Sequence, residues 1–421
     1  MNYIFVYSVI YIKSDFSKLK EKNPGDAFFL IGSEYCLSRL DDKNRDSFEE
    51  IHCISRDFHQ IDDDEMERII KQYVERFGAQ GIRLLTNEDS AQIGCARLRE
   101  IYGIPGSTVH QLLPFVHKVI SKKRLGRSVR LPDYTVFDKK CYAKNKYDYL
   151  NSLEKRIGFP MFIKPVDLVS SIETHRINNL KELSFVAERI SAHEYEFEID
   201  EFIDGDLFHR DAMVIDGEIV FFMVGKCSFP LARFFEGKPV GSIPTNNADH
   251  FQQLQKLCEI VLKKLKSHDG AYHMEAFLEY KSQEFIFLEI GARTGGALIT
   301  RVYEKIFGIN IEEINYLIQM ERIRDVPYRK SKYIAGFLNF PFIKGTIKNI
   351  KKPSIDIANE FIKFVRPGDE LEQAKNLLDV SCSIIFWDKS YSKVEQAFEL
   401  LKNFAPLTTV SSHEEEFESD E

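Results

Sequence analysis

Through residues 1–115, short apolar runs alternate with longer stretches whose apolar positions recur at helical spacing. The runs at 26–32, 50–54 and 82–86 predict strands, and 64–77 and 91–102 predict helices. Such alternation predicts a small α/β unit on a parallel sheet. The first residues, MNYIFVYSVIYIKSDF, are apolar only from Tyr3 to Ile12, with no basic flank and no small-residue cleavage site. That run is too short to cross a bilayer and predicts a buried first strand.

Past Gly103-Ile104-Pro105-Gly106 the pattern changes. A basic helical segment at 117–125 leads into a strand-rich region. The apolar run 160–165 predicts a strand ending in Lys164-Pro165, and 196–203, 207–215 and 218–225 predict further strands. Asp216-Gly217 between two apolar strands marks a hairpin. Residues 248–266 predict an amphipathic helix. An α+β segment from 330 to 407 carries strands at 335–341 and 345–347 and a helix at 393–404.

Composition narrows the class without fixing it. A chain of 421 residues is long enough for two or three domains, and 44% hydrophobic with 29% charged residues is ordinary for a globular protein. A formal charge of −8 argues against nucleic acid as the main partner, though a local basic patch stays open. The seven cysteines are scattered with no CxxC pair, which reads as reduced thiols in a cytoplasmic protein rather than a disulfide framework or a zinc site. No GxGxxG accompanies the α/β unit, so a dinucleotide site has no support. The end, HEEEFESDE, reads as an acidic, disordered, solubilising tail.

The stretch GAYHMEAFLEYKSQEFIFLEIGARTGGALITRVYEKIFG, residues 270–308, concentrates the candidate chemistry. With a turn at Lys281-Ser282-Gln283, Tyr280 faces Glu284, Glu275 lies opposite Glu289, and Phe277 lies opposite Phe287. The other face then pairs Met274 with Ile290, Ala276 with Leu288 and Leu278 with Ile286, as a core face would. Directly opposed carboxylates repel unless water screens them, one is protonated, or a cation lies between them. Carboxylate oxygens without cysteine point to Mg²⁺, which bridges to substrate phosphates. A solvated sheet face whose charges keep it soluble reads the same pair without a metal. Arg293 follows, a planar fork for phosphate or carboxylate, and Thr294-Gly295-Gly296 leads into a helix-periodic run at 297–307. Glycines at a strand-to-helix junction let backbone N–H groups approach an anion. Together these features describe a site for moving phosphate.

The order of these pieces resembles the ATP-grasp superfamily, and within it the carboxylate–amine ligases of the amino-acid ligase and carnosine-synthase type. The resemblance covers residues 25–407. It is carried by TNEDSAQIGCARLREIYGIPG, FPMFIKPVDLVSS, IDEFIDGDLFHRDAMVIDGEI and YHMEAF…FLEIGARTGG. It implies an α/β N-terminal domain (1–115) and α+β ATP-grasp subdomains (116–196 and 197–329) whose two mixed or antiparallel sheets sandwich ATP. A C-terminal α+β subdomain (330–410) and the tail (411–421) follow.

The resemblance also implies roles. Lys118 and Lys164 would contact the phosphates, with Pro165 aiming Lys164, and Ser171 would be a further phosphate contact. The backbone of Asp200, Glu201, Phe202 and Ile203 would grip the adenine edge, while Asp206, His209 and Asp211 would reach the ribose or a metal. Glu275 and Glu289 would bind Mg²⁺, with two ions expected and Mn²⁺ as a substitute. Arg293 and Lys164 would stabilise charge on the transferring phosphoryl group, and Arg293, Gly295, Gly296 and His273 would face the substrate. Two departures stand out. Many relatives carry a glycine-rich loop after the second lysine, whereas residues 167–173, DLVSSIE, hold no glycine. Relatives also often have an asparagine where this chain has Gly291.

The activity implied is ATP-dependent condensation of a carboxylic acid, an amino acid foremost, with an amine, through an acyl phosphate and with release of ADP and phosphate. The alternative is an ATP-binding scaffold or sensor with a degenerate phosphate lid and no ligase turnover. Small-molecule carboxylate and amine partners are expected, with no nucleic acid and no membrane; a homodimer is left open. Selectivity is expected to depend on residues 226–244, where Phe229, Arg233, Phe234 and Phe235 would wall a pocket or serve as an oligomer contact.

Overall fold

The computed structural model describes residues 1–57, 61–168, 172–329 and 331–410. Four parallel strands open the chain: Asn2–Tyr7, Ala27–Ser33, Glu50–Ile54 and Ile82–Thr86. In space they run third, second, first, fourth. Helices Asp63–Phe77 and Asp89–Tyr102 cover one face, closing a core of Ile4, Val6, Ile70, Leu84 and Leu98. The α/β unit is therefore as expected, but its first strand is shorter. It ends at Tyr7 because the N–H groups of Ser8, Val9 and Ile10 leave the sheet for the Glu88 carboxylate, at 2.7, 3.1 and 2.9 Å.

A small antiparallel sheet follows, in the spatial order Tyr134–Val136, Phe197–Glu201, Met161–Pro165, His175–Ile177. Helices Lys146–Ile157 and Leu180–Ser191 bury Leu150, Leu153, Leu183 and Ile190 against it.

The largest sheet has eight antiparallel strands: Phe285–Gly291, Gly270–Glu279, Gly205–Ile215, Glu218–Cys227, Val240–Pro244, Ile334–Pro341, Val380–Asp388 and Ala358–Lys363. Residues of 197–329 and of 330–410 thus share one sheet. Helix Ala248–Leu265 covers one face through Leu254, Val261 and Leu265. Helices Ile299–Phe307 and Ile311–Gln319 fill the space between the other face and the parallel sheet, in one core with Phe5, Phe16 and Phe337. Strands Glu370–Leu371, Gly345–Ile350 and Leu407–Val410 form a last small sheet, and helix Tyr391–Leu401 packs nearby. The acidic tail expected at 411–421 lies outside the described residues. Among those described, no helix is long and apolar enough to cross a membrane.

The hairpin at 270–291 needs one correction. Glu275 does face Glu289, and Met274 faces Ile290. Beyond them the partners shift by one: Ala276 faces Phe287, Phe277 faces Ile286 and Leu278 faces Phe285. The turn is one residue longer than expected, because Glu279 rather than Tyr280 bonds Glu284 (3.1 Å), and a bulge next to Glu275 compensates. The bulge turns Phe287 into the core with Met274 and Ala276.

Candidate functional site

A cavity of about 490 Å³ opens where the carboxyl ends of the parallel strands, the small sheet and the large sheet converge. Strand alternation places its floor. One face of Gly205–Ile215 carries His209, Asp211 and Met213, opposite Glu275, His273 and Ala271 of the neighbouring strand. The row Glu289–Glu275–His209–Gly225 therefore crosses four strands. Gly225 leaves room for an imidazole, since a Cβ there would fall 2.1 Å from His209 Nε2.

Beneath the floor, Asp211 gathers three partners. His209 Nδ1 and His273 Nδ1 each lie 2.8 Å from one of its oxygens, and Tyr303 donates at 2.6 Å. His209 Nε2 meets Ser242 Oγ at 2.8 Å, and His273 Nε2 meets Glu275 Oε1 at 3.4 Å. Burial opposes the charged forms, yet the two imidazoles hold Asp211 well below the usual carboxylate range. In return Asp211, with help from Glu275, raises His273 to about 9 despite its burial. Asp211 is not exposed to the cavity; it braces the histidines and packs under Gly295, where a Cβ would fall 2.7 Å from Asp211 Oδ1. The His209, Asp211 and His273 donors lie within 4.8 Å of one another. Both Nδ1 atoms are already turned to Asp211, so they read as a hydrogen-bonded brace.

The wall facing this floor carries the lysines. Lys118 starts helix Lys118–Leu125, and its Nζ donates to Leu168 O at 2.7 Å while standing 3.9 Å from Glu289 Oε2. Lys164 Nζ lies 3.2 Å from Asp200 and 3.3 Å from Glu198. Burial disfavours its ammonium, but the two carboxylates hold its pKa above the ordinary value. Sequence reasoning missed two members of this cluster. Lys122, fully buried, lies 2.6 Å from Asp200 and 3.1 Å from Glu198. The signals were present: Lys122 is one turn beyond Lys118, and Glu198 alternates with Asp200 on one strand face.

At the hinge, the expected adenine-gripping residues line the cavity. Asp200 spends its side chain on the two lysines. Glu201 N–H donates to Asp133 O at 2.7 Å and Phe202 N–H to Pro160 O at 3.2 Å. The Ile203 N–H has no partner among the described residues. Asp206 lies off to the side, paired with Lys226 at 2.7 Å. Ser171 lies outside the described residues.

Arg293 binds Asp89 of the N-terminal unit through Nε and donates to Thr294 O at 2.9 Å. Burial works against its charge, and Asp89 more than restores it. Gly291 makes that contact possible: a Cβ there would fall 2.8 Å from Asp89 Oδ1. Gly295 and Gly296 line the cavity, while the Thr294 N–H is taken by Asn87 at 3.0 Å. The helix starts at Ile299, two residues later than expected. In the segment expected to set selectivity, Phe234 lines the cavity but Phe229, Arg233 and Phe235 do not. The tight turn Leu231–Glu236 points them elsewhere, and Phe229 stacks under Arg233, Lys238 and Lys402 at 5.3, 5.8 and 5.2 Å.

Comparison with known proteins gives concordant results. The family described as D-ala D-ala ligase C-terminus matches residues 125–224. An L-arginine-specific L-amino acid ligase of Bacillus subtilis is 24% identical over 311 residues, spanning 72% of this chain and 70% of that protein. The crystal structure of an L-amino acid ligase from Bacillus licheniformis superposes with a TM-score of 0.71 at 16% identity, covering 98% of each chain. The biotin carboxylase domain of a Hydrogenobacter thermophilus 2-oxoglutarate carboxylase, solved in complex with MgADP, superposes with a TM-score of 0.66 at 15% identity. That match covers 97% of this chain and 91% of the domain.

Proposed function

We propose that the chain is an ATP-grasp carboxylate–amine ligase of the ADP-forming kind, which joins an amino acid to an amine through an acyl phosphate; the family match, the L-amino acid ligase relative and the shared fold support this reading. The observation that carries this reading is the row Glu289–Glu275–His209 on one sheet, facing Lys118 and Lys164 on another across a single cavity.

Opposed carboxylates fit Mg²⁺: Glu275 and Glu289 supply hard oxygens, and their mutual repulsion is relieved by a cation. When bound, Mg²⁺ would neutralise charge on the β- and γ-phosphates of ATP. Lys118 and Lys164 would bind those phosphates, and the Ile203 N–H, without a protein partner among the described residues, would donate to a ring nitrogen on the adenine edge. The substrate carboxylate attacks the γ-phosphate, breaking the bond to ADP. The amine then attacks the acyl carbon and displaces phosphate, forming the amide. Arg293, Gly295 and Gly296 would hold the reacting carboxylate, with Arg293 and Lys164 offsetting charge on the transferring group. His273, braced by Asp211, would keep Glu275 aimed at the metal and line the substrate side. The glycine-free residues 167–173 favour a second reading, an ATP-binding sensor without turnover.

The test is Mg²⁺-dependent ADP release over a matrix of paired amino acids and amines, L-arginine among them. Turnover that needs both partners and falls about a hundredfold or more in Glu289→Gln supports the ligase. ATP binding with no ADP release from any pair points to the sensor, and AMP as product contradicts the mechanism.

A further inference from the structure

The N-terminal wall of the cavity carries cations that form no ion pair among the described residues. Tyr11, Lys13, Tyr35 and Arg39 all line it. Lys13 Nζ lies 5.6 Å from the centre of the Tyr11 ring, and the Arg39 guanidinium lies 5.7 Å from that ring and 4.7 Å from Tyr35. Arg56 stacks on Tyr35 as well, at 4.9 Å. Three cations thus alternate with two aromatic rings. Among the described residues, none of the three has an ion-pair partner.

Elsewhere in the cavity the charges are spoken for. Arg293 has Asp89, Lys164 has Asp200 and Glu198, and Lys118 has Glu289. The acids whose field reaches Lys13 are Glu312 and Glu88. Glu312 accepts the Tyr7 hydroxyl, and Glu88 is bound by the amides of Ser8, Val9 and Ile10. Those amide bonds also fix the loop that delivers Tyr11 and Lys13. Burial and the field of Arg293 work against the Lys13 ammonium, and the Tyr11 face offsets only part of that cost. An anion would complete the site.

We infer that Lys13 and Arg39, presented on Tyr11 and Tyr35, bind an anionic group carried by one of the two substrates, a second carboxylate or a phosphate distinct from the carboxyl that is activated. This rests on the ligase reading of the same cavity and names its substrate class: an acidic or phosphorylated amino acid is preferred over its neutral counterpart. A free L-arginine side chain would meet repulsion at this wall.

The experiment compares L-glutamate with L-glutamine, and O-phospho-L-serine with L-serine, on the full chain. Binding is measured calorimetrically with Mg²⁺ and a non-hydrolysable ATP analogue, and ADP release is measured in parallel with ATP. At least one acid should bind about tenfold or more tightly than its neutral partner, as one charge-assisted hydrogen bond provides, and the margin should shrink as salt is raised. Which pair shows it separates carboxylate from phosphate. Lys13→Met and Arg39→Gln should each erase most of the preference, and Arg39→Glu should invert it towards basic amino acids. Arg39 is exposed, so its variants keep the test open if Lys13→Met fails to fold. Equal binding within both pairs, or a preference that survives Arg39→Glu, overturns the inference. ADP release without acidic preference leaves the ligase standing and removes this subsite. Acidic preference without ADP release from any pair keeps the subsite and removes the ligase.

Discussion

His268, in the turn before strand Gly270–Glu279, is a titrating residue outside the row Glu289–Glu275–His209. Its Nδ1 lies 3.1 Å from the Tyr272 hydroxyl, and its ring meets Phe115 edge-on at 6.1 Å. Burial, reinforced by Arg99, pulls its pKa down to about 4 from 6.5. Between those values the unfolded chain binds a proton that the folded chain does not. His268 therefore contributes stability that is full above pH 6.5 and lost as the pH falls towards about 4. With its partial exposure allowed for, the loss is on the order of 2 kcal/mol. Urea unfolding at both ends of that window should show His268→Gln losing less stability on acidification than the wild type, by about that amount; identical losses would contradict the assignment. The site residues differ in how legible they were. Glu275, Glu289, Lys164 and Arg293 sit in strands or next to glycines, where local pattern fixes their direction. Asp89 and Lys122 acquire meaning only from partners far along the chain, Arg293 and Asp200.

At the scale of elements, register decides which side chains meet. The longer turn and the bulge in the hairpin cancel at Glu275 and Glu289, so the pair stays opposed although the partners beyond it shift. A turn of one residue more or less is not written in the hydrophobic alternation, because either register buries apolar side chains. The strands Gly205–Ile215 and Glu218–Cys227 meet where Gly225 faces His209, and the glycine has a spatial reason. Gly225→Ala would drive its methyl into the imidazole, forcing His209 off Ser242 and Asp211. The expected outcome is destabilisation of about 1–3 kcal/mol in chemical denaturation, together with a fall in ADP release. Unchanged values for both would show that His209 has room to move.

For the whole molecule, the eight-stranded sheet ties the site to the C-terminal region. Strand Val240–Pro244 pairs with Ile334–Pro341, which continues into Val380–Asp388. Cutting the chain after residue 329 removes one of the two partners of Val240–Pro244 and strips Phe337 and Ile385 from the core shared with the parallel sheet. An unpaired edge beside exposed apolar surface favours aggregation. A 1–329 fragment should elute as aggregate in size-exclusion chromatography and fail to bind nucleotide. A monomeric fragment that binds nucleotide would show that the two regions fold independently.

By itself, the sequence determined the kinds of element and their order: an α/β start, strand-borne Lys-Pro, a hairpin of paired glutamates, and an arginine with glycines leading into a helix. These are local properties, set by alternation, helical period and turn chemistry within a few residues. Only the tertiary structure decided that Lys122 and Glu198 complete the lysine cluster, that Gly291 makes space for Asp89 to reach Arg293, and that Lys13 and Arg39 face the same cavity as Glu275. Charge pairing across more than two hundred residues, as between Asp89 and Arg293, depends on how the sheets are placed against each other. That placement comes from the packing of buried faces, which local pattern marks as apolar without saying what they meet.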